Sequence, residues 1–199
     1  MSSTPWVSHP NDGSLQILPV PVHTSRNPEN KCIVHCLYMA IEYIAKEYPN
    51  KWVRENINRI KTEEIESEIT LNEAGWRPKP DELDKIGDKT DIIEIEYAIQ
   101  EEPLRNSALF GVAKNQFKRN LPLIPIINAK RLRQNRKAGL HAVVMLGLNN
   151  NSVVINDPWG YPYDIVDKEK FAKSWNDTIN QYIKLTPGKQ RLGDIGGEN

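Results

Sequence analysis

The chain is short of the features that announce a compartment or a cofactor. No apolar run reaches the roughly 20 residues that would span a bilayer. The opening stretch, MSSTPWVSHPNDG, has no basic segment followed by an apolar core, so it is not expected to be a secretory signal. Neither sign of charge is in excess: 26 basic side chains balance 26 acidic ones, so the global field selects no partner. There is no phosphate-binding glycine loop and no HExxH-type metal helix. Cysteine is scarce. Cys32 and Cys36 are the only two, four residues apart on one expected helix, where they cannot easily bridge. A cytoplasmic protein with free thiols is the simplest reading. Cys32, His35 and Cys36 could supply zinc ligands, but no second cysteine pair closes a structural site. No metal or cofactor is therefore expected.

What remains is ordinary in bulk and uneven in detail. A length of 199 residues suits one domain. Glu63, Glu64, Glu66, Glu68, Glu94, Glu96, Glu101 and Glu102 make the middle acidic, and Lys130, Arg131, Arg133, Arg136 and Lys137 form a basic run. Solvated surface is the bland reading of such runs. A basic rim on a cleft, favouring an acidic substrate segment, is the sharper one. The basic run has no interleaved aromatics, so nucleic-acid binding is not expected.

Local patterns predict an α+β fold, with N-terminal helices packed on a mainly antiparallel sheet. Residues 1–14 read as a flexible leader, 15–187 as the domain and 188–199 as a Gly-rich flexible tail. Leu15 to Val22 reads as an edge strand because it contains Pro19 and Pro21. Ile33, Leu37, Ile41, Ile44 and Tyr48 recur at helical spacing, giving a helix from about Asn30 to Tyr48 with a core-facing stripe. Further helices are expected around Trp52–Ile60, KPDELDKI and SALFGVAKNQFKRN. DIIEIEYAI and TINQYIKL read as strands. LPLIPIIN is β-like, with Pro122 and Pro125 implying an edge or a bulge.

The clearest element is a hairpin, HAVVMLGL and SVVIND around Asn149–Asn151. If those three asparagines are the turn, Leu148 pairs with Ser152 and Val143 with Asp157. His141 then lies on Asp157's face as a diagonal neighbour, about 7–8 Å away. A turn one residue longer or shorter puts the two on opposite faces.

That placement bears on Cys32. A thiolate is the reactive form of cysteine, and a helix N-terminus favours it within the first turn. With Asn30 as cap, Cys32 lies in that turn and Cys36 beyond it. A thiol, a distant imidazole and a polar orienter are the parts of a nucleophilic thiol site. The alternative for each is plain: free cysteines usually sit buried as small apolar residues, and a strand histidine is usually structural. Asn156 is a second polar candidate, but alternation turns it from Asp157's face. Trp76, Trp159 and Trp175 read as core or cleft wall.

Taken in order, Cys32-Ile33-Val34-His35-Cys36-Leu37-Tyr38-Met39, HAVVMLGL and INDPWG resemble the papain-like cysteine peptidases related to the bacteriocin-processing, double-glycine-leader type. Leu37 and Met39 keep the family's offsets from the nucleophile. The Val20-Pro21 segment, the LPLIP run, and Phe171 with Trp175 are similar too. The resemblance implies a papain-like fold. It implies Cys32 as nucleophile, His141 as base and acid, Asp157 as orienter, and a peptide or protein substrate. Two departures stand out. Ile33 occupies a position usually held by Gly, and the Gln usually found about six residues before the cysteine to bind the oxyanion is missing from the stretch His23–Asn27. Asn27, Arg26 or Ser25 would have to substitute. A second register makes Cys36 the nucleophile with Asn30 as the donor, at the expense of the Leu and Met offsets. The resemblance thus supports hydrolysis of a peptide or isopeptide bond through a thioester. The departures support the alternative, an inactive relative that binds peptides or proteins.

Overall fold

The computed structural model describes residues 5–24, 31–47, 61–70, 78–90, 93–99, 102, 104–134 and 139–187. The expected helix around Trp52–Ile60, Trp76 and the expected tail at 188–199 lie outside the described residues, as does the oxyanion stretch at 25–30.

The first strands, β1 (Val7–His9) and β2 (Asp12–Ile17), pair antiparallel as a hairpin. The expected flexible leader therefore contains ordered structure, and the strand predicted for Leu15–Val22 ends at Ile17. His9 explains the order: it is buried, with Nε2 2.7 Å from the Tyr163 carbonyl oxygen and Nδ1 accepting from the Asn11 N–H.

Helix α1 (Cys32–Glu47) is the centre of the core. A single buried stripe was expected, yet Ile33, Val34, Leu37, Met39, Ala40, Ile41, Tyr43 and Ile44 are all buried. A helix apolar around most of its girth is enclosed by its neighbours. It packs on β5 (Leu140–Ala142), β6 (Val144–Leu148) and β9 (Tyr182–Pro187) and on α2 (Thr62–Glu68). Helix α3 (Pro80–Thr90) follows, starting at Pro80, where a missing N–H costs nothing.

The main sheet runs β3 (Ile93–Ala98), β9 (Tyr182–Pro187), β4 (Leu123–Asn128), β6 (Val144–Leu148), β7 (Ser152–Asp157), β8 (Tyr161–Asp167). The short β5 (Leu140–Ala142) also pairs with β4. Each of these pairings is antiparallel. Helices α4 (Asn106–Lys118), α5 (Ala129–Leu132) and α6 (Lys168–Asn176) are interleaved with the strands.

Two proline and turn expectations change in instructive ways. Strand β4 is internal rather than an edge. It tolerates Pro125 because its partner breaks instead: β5 and β6 are separated at Val143, whose N–H donates to the Pro125 carbonyl at 3.3 Å. In the hairpin, Asn149 N–H donates to the Ser152 carbonyl, and Leu148 pairs with Val153 rather than Ser152. The turn is thus one residue longer than expected. An irregularity between Met145 and Gly147 then restores the expected register, with Val144 opposite Asn156.

Candidate active site

Cys32, His141 and Asp157 come together from three elements. Cys32 is the first residue of α1, His141 is central in β5 opposite Ile127 of β4, and Asp157 ends β7. They are 9%, 2% and 1% exposed, so the cluster is shielded from bulk water. His141 Nε2 lies 2.8 Å from Asp157 Oδ1. An ionised carboxylate only accepts, so Nε2 carries the proton in that bond. Nδ1 is buried without a well-aligned hydrogen-bond partner and is the ring nitrogen left for the thiol. The Ala142 N–H, next to His141, points at Cys32 Sγ at 3.4 Å, and the Ile33 N–H also donates to the sulfur.

Electrostatics separates the two cysteines. Burial pushes the Cys32 thiol up, but interaction with His141 and the N–H groups of Ala142 and Ile33 outweigh it. The net value is below that of an ordinary cysteine. Cys36, one turn deeper, has burial plus the charges of Cys32 and Asp157 against it and is raised well above normal. Burial also pushes His141 down. Hydrogen bonds and charge from Asp157 and Cys32 win, and it is raised to about 9. Asp157 is held below the usual carboxylate range despite burial, by His141, the Trp159 N–H and Arg133.

Asn156 turns from Asp157, as alternation required. Its amide donates to the Val20 carbonyl and accepts from the Tyr163 N–H, fastening the segment before α1 to β7 and β8. His35 interacts with His23, Lys31 and Glu66. No metal-binding cluster of His, Cys, Asp or Glu occurs among the described residues. The oxyanion candidates Arg26, Asn27 and Asn30 lie outside the described residues, as does Ser25.

Two residues of the site were read only loosely from the sequence, Trp159 as core or cleft wall and Arg133 as one member of a basic run. Trp159 stacks on His141, ring centroids 3.8 Å apart and planes 26° from parallel, while its N–H donates to Asp157 Oδ1 at 2.9 Å. Asp157-Pro158-Trp159 is an Asx turn, a local signal that could have placed Trp159 beside the carboxylate. Arg133, read as one member of a basic run, reaches Asp157 Oδ2 with Nε at 3.4 Å. No spacing rule would have singled it out. Arg131 pairs with Asp177. Arg136 and Lys137 are outside the described residues. The proposed basic cleft rim thus loses two of its cations to partners within the chain. Trp175, by contrast, is core, packed among Phe110, Phe171 and Tyr182.

Comparison with known proteins agrees with this architecture. The model of the Peptidase_C39 like family matches residues 17–183. A protein from Bacillus anthracis described as a C39-like peptidase is similar in structure, with TM-score 0.57 and 18% identity over 84% of this chain and 94% of that one. A double glycine motif protease from an AMS/PCAT transporter, solved with its leader peptide, gives TM-score 0.53 and 18% identity, covering 84% of this chain and 91% of that one. The peptidase domain of Streptococcus ComA, a bifunctional ABC transporter, gives TM-score 0.53 and 17% identity, covering 84% and 98%. At such identities the likeness shows the fold. No curated protein matches the chain in sequence. Among the described residues, no helix is long and apolar enough to cross a membrane.

Proposed function

Because the chain belongs to the Peptidase_C39 like family, we infer that it is a cysteine peptidase using Cys32 as nucleophile, His141 as acid and base, and Asp157 as orienter. One observation carries the reading: the buried Cys32 thiol, lowered in pKa, faces an imidazole whose far nitrogen is held 2.8 Å from a buried carboxylate. The Cys32 thiolate attacks a peptide or isopeptide carbonyl. His141 donates its Nδ1 proton to the departing amine, leaving a thioester on Cys32. The neutral imidazole then takes a proton from water as water attacks the thioester, releasing the carboxylic acid and restoring the Cys32 thiolate beside protonated His141. Asp157 keeps Nε2 protonated throughout, so Nδ1 is always the nitrogen that exchanges protons with the reaction. The Cys32 N–H is one oxyanion donor, and Arg26, Asn27 or Ser25 would supply the second. The substrate is a peptide or protein, and two free thiols fit a reducing, cytoplasmic setting.

A proteome-derived peptide library tests this directly. The wild-type protein should produce new termini detectable by mass spectrometry. Cys32→Ala should produce none, and Cys36→Ala should cut at least a third as fast as wild type. The competing reading, an inactive peptide- or protein-binding module, is motivated by Ile33, which is wholly buried where the family usually has Gly. It predicts no new termini from any variant.

A further inference from the structure

Beyond the three residues of the proposed reaction, the structure places one further charge in contact with them. We propose that Arg133 is the positioning residue of this site: it clamps the free oxygen of Asp157 and so fixes the carboxylate that orients His141. The proposal rests on the peptidase reading above.

Asp157 Oδ1 is doubly occupied, by His141 Nε2 and the Trp159 N–H, whereas Arg133 Nε is directed at Oδ2. A carboxylate that is 1% exposed needs its second oxygen compensated. The guanidinium is itself held from its other side. Its terminal nitrogen donates to Asp164 at 2.5 Å, and its carbon lies 3.6 Å above the Tyr161 ring. Arg133 therefore ties the residue after α5 to the end of β7 and to β8, around the Asp157–Tyr161 turn. Its side chain is 18% exposed, against 64% for neighbouring Arg131, whose pairing with Asp177 is an ordinary surface contact. Only the planar fork of arginine can reach two carboxylates and stack on a ring at once. A lysine would keep the charge and lose the fork.

The titratable groups facing Asp157 are His141 from β5, Cys36 from α1, and Arg133, with Cys32 reached through His141. Through Arg133, Asp164 and Tyr161 of β8 join them. Removing the Arg133 charge takes positive potential from the cluster and lets Asp157 rotate. Both effects disfavour the Cys32 thiolate.

The test is the rate of Cys32 alkylation by iodoacetamide at pH 6, on wild type, His141→Ala, Arg133→Met, Arg133→Lys and Asp164→Asn. Loss of the clamp should slow Arg133→Met by about tenfold, equivalent to a one-unit rise in the thiol pKa. Arg133→Lys should recover to within about threefold of wild type, because the charge remains. A role confined to holding the fold would lower the melting temperature and leave this rate unchanged. If folded Arg133→Met labels at the wild-type rate while His141→Ala is slow, the clamp is wrong and the peptidase reading stands. If wild type and His141→Ala label alike, the reading fails and the proposal with it. Should Arg133→Met not melt cooperatively, Asp164→Asn decides: slowing of about threefold supports the clamp, and the wild-type rate overturns it.

Discussion

Burial alone would neutralise a thiol, an imidazole and a carboxylate alike. In this cluster it does not, because each group's charged form is stabilised by the next. The thiolate gains from the imidazolium, the imidazolium from Asp157, and Asp157 from Trp159 N–H and Arg133. The pair therefore titrates as a unit. Below the depressed value of the thiol, sulfur is protonated and inert. Above about 9, His141 loses the proton that the proposed reaction gives to the leaving amine. Activity should fall on both sides, with the alkaline limb near 9. Trp159 lies flat on the imidazole and favours its cationic form. In Trp159→Ala the alkaline limb should move down by about one unit, which a pH series of initial rates would show. An unmoved limb would mean the indole acts only as a lid. That Asp157 and His141 could share a face was legible in the sequence because a strand has a periodicity of two, whereas the register that decides it was not. Arg133 was not legible either, since nothing in a run of cations tells which one turns inward.

Secondary elements explain why some expectations held for reasons other than those first given. The His141–Asp157 geometry was expected from a three-residue turn. The turn is longer, and the irregularity between Met145 and Gly147 cancels the slip. Gly147, at that irregularity, also permits the close approach of β2. A Cβ there would sit 2.6 Å from the Gln16 carbonyl oxygen and 3.2 Å from an Ile17 side-chain carbon. β2 lies that close to β6, joined just beyond by the Leu18 N–H donating to Leu146. Gly147→Ala should therefore force the two apart and destabilise by about 1–3 kcal/mol. Thermal unfolding should show a fall of about 2–4 °C for each kcal/mol. An unchanged melting temperature would show that β2 yields freely. The prolines of β4 taught a similar lesson. Pro125 implied an edge or a bulge in its own strand, but the interruption it requires is carried by the partner at Val143. A single sequence reports that a ladder is broken and not which strand breaks.

Viewed whole, the molecule brings its site together from segments far apart in sequence. The N-terminus of α1 meets the start of one hairpin strand and the end of the other, with α1 enclosed by the sheet and α2. The order of motifs along the chain was readable because each is local: a helix stripe, an alternating strand, an Asp-Pro ending. Enclosure was not, because a helix that is buried on most sides looks, in one sequence, like an amphipathic one with a generous stripe. The order and the α+β class together match the fold of the C39-like peptidases. Whether that fold does its chemistry here turns on one pair of atoms, Cys32 Sγ and His141 Nδ1. Iodoacetamide alkylation from pH 5 to 9, read by peptide mass spectrometry on wild type and His141→Ala, interrogates that pair without any knowledge of the substrate. The thiolate–imidazolium account predicts fast, selective labelling of Cys32 below pH 7 that slows in the mutant, with Cys36 silent. Labelling of both cysteines only near pH about 8.5, the range of an ordinary thiol, and unchanged by the mutation, would contradict it.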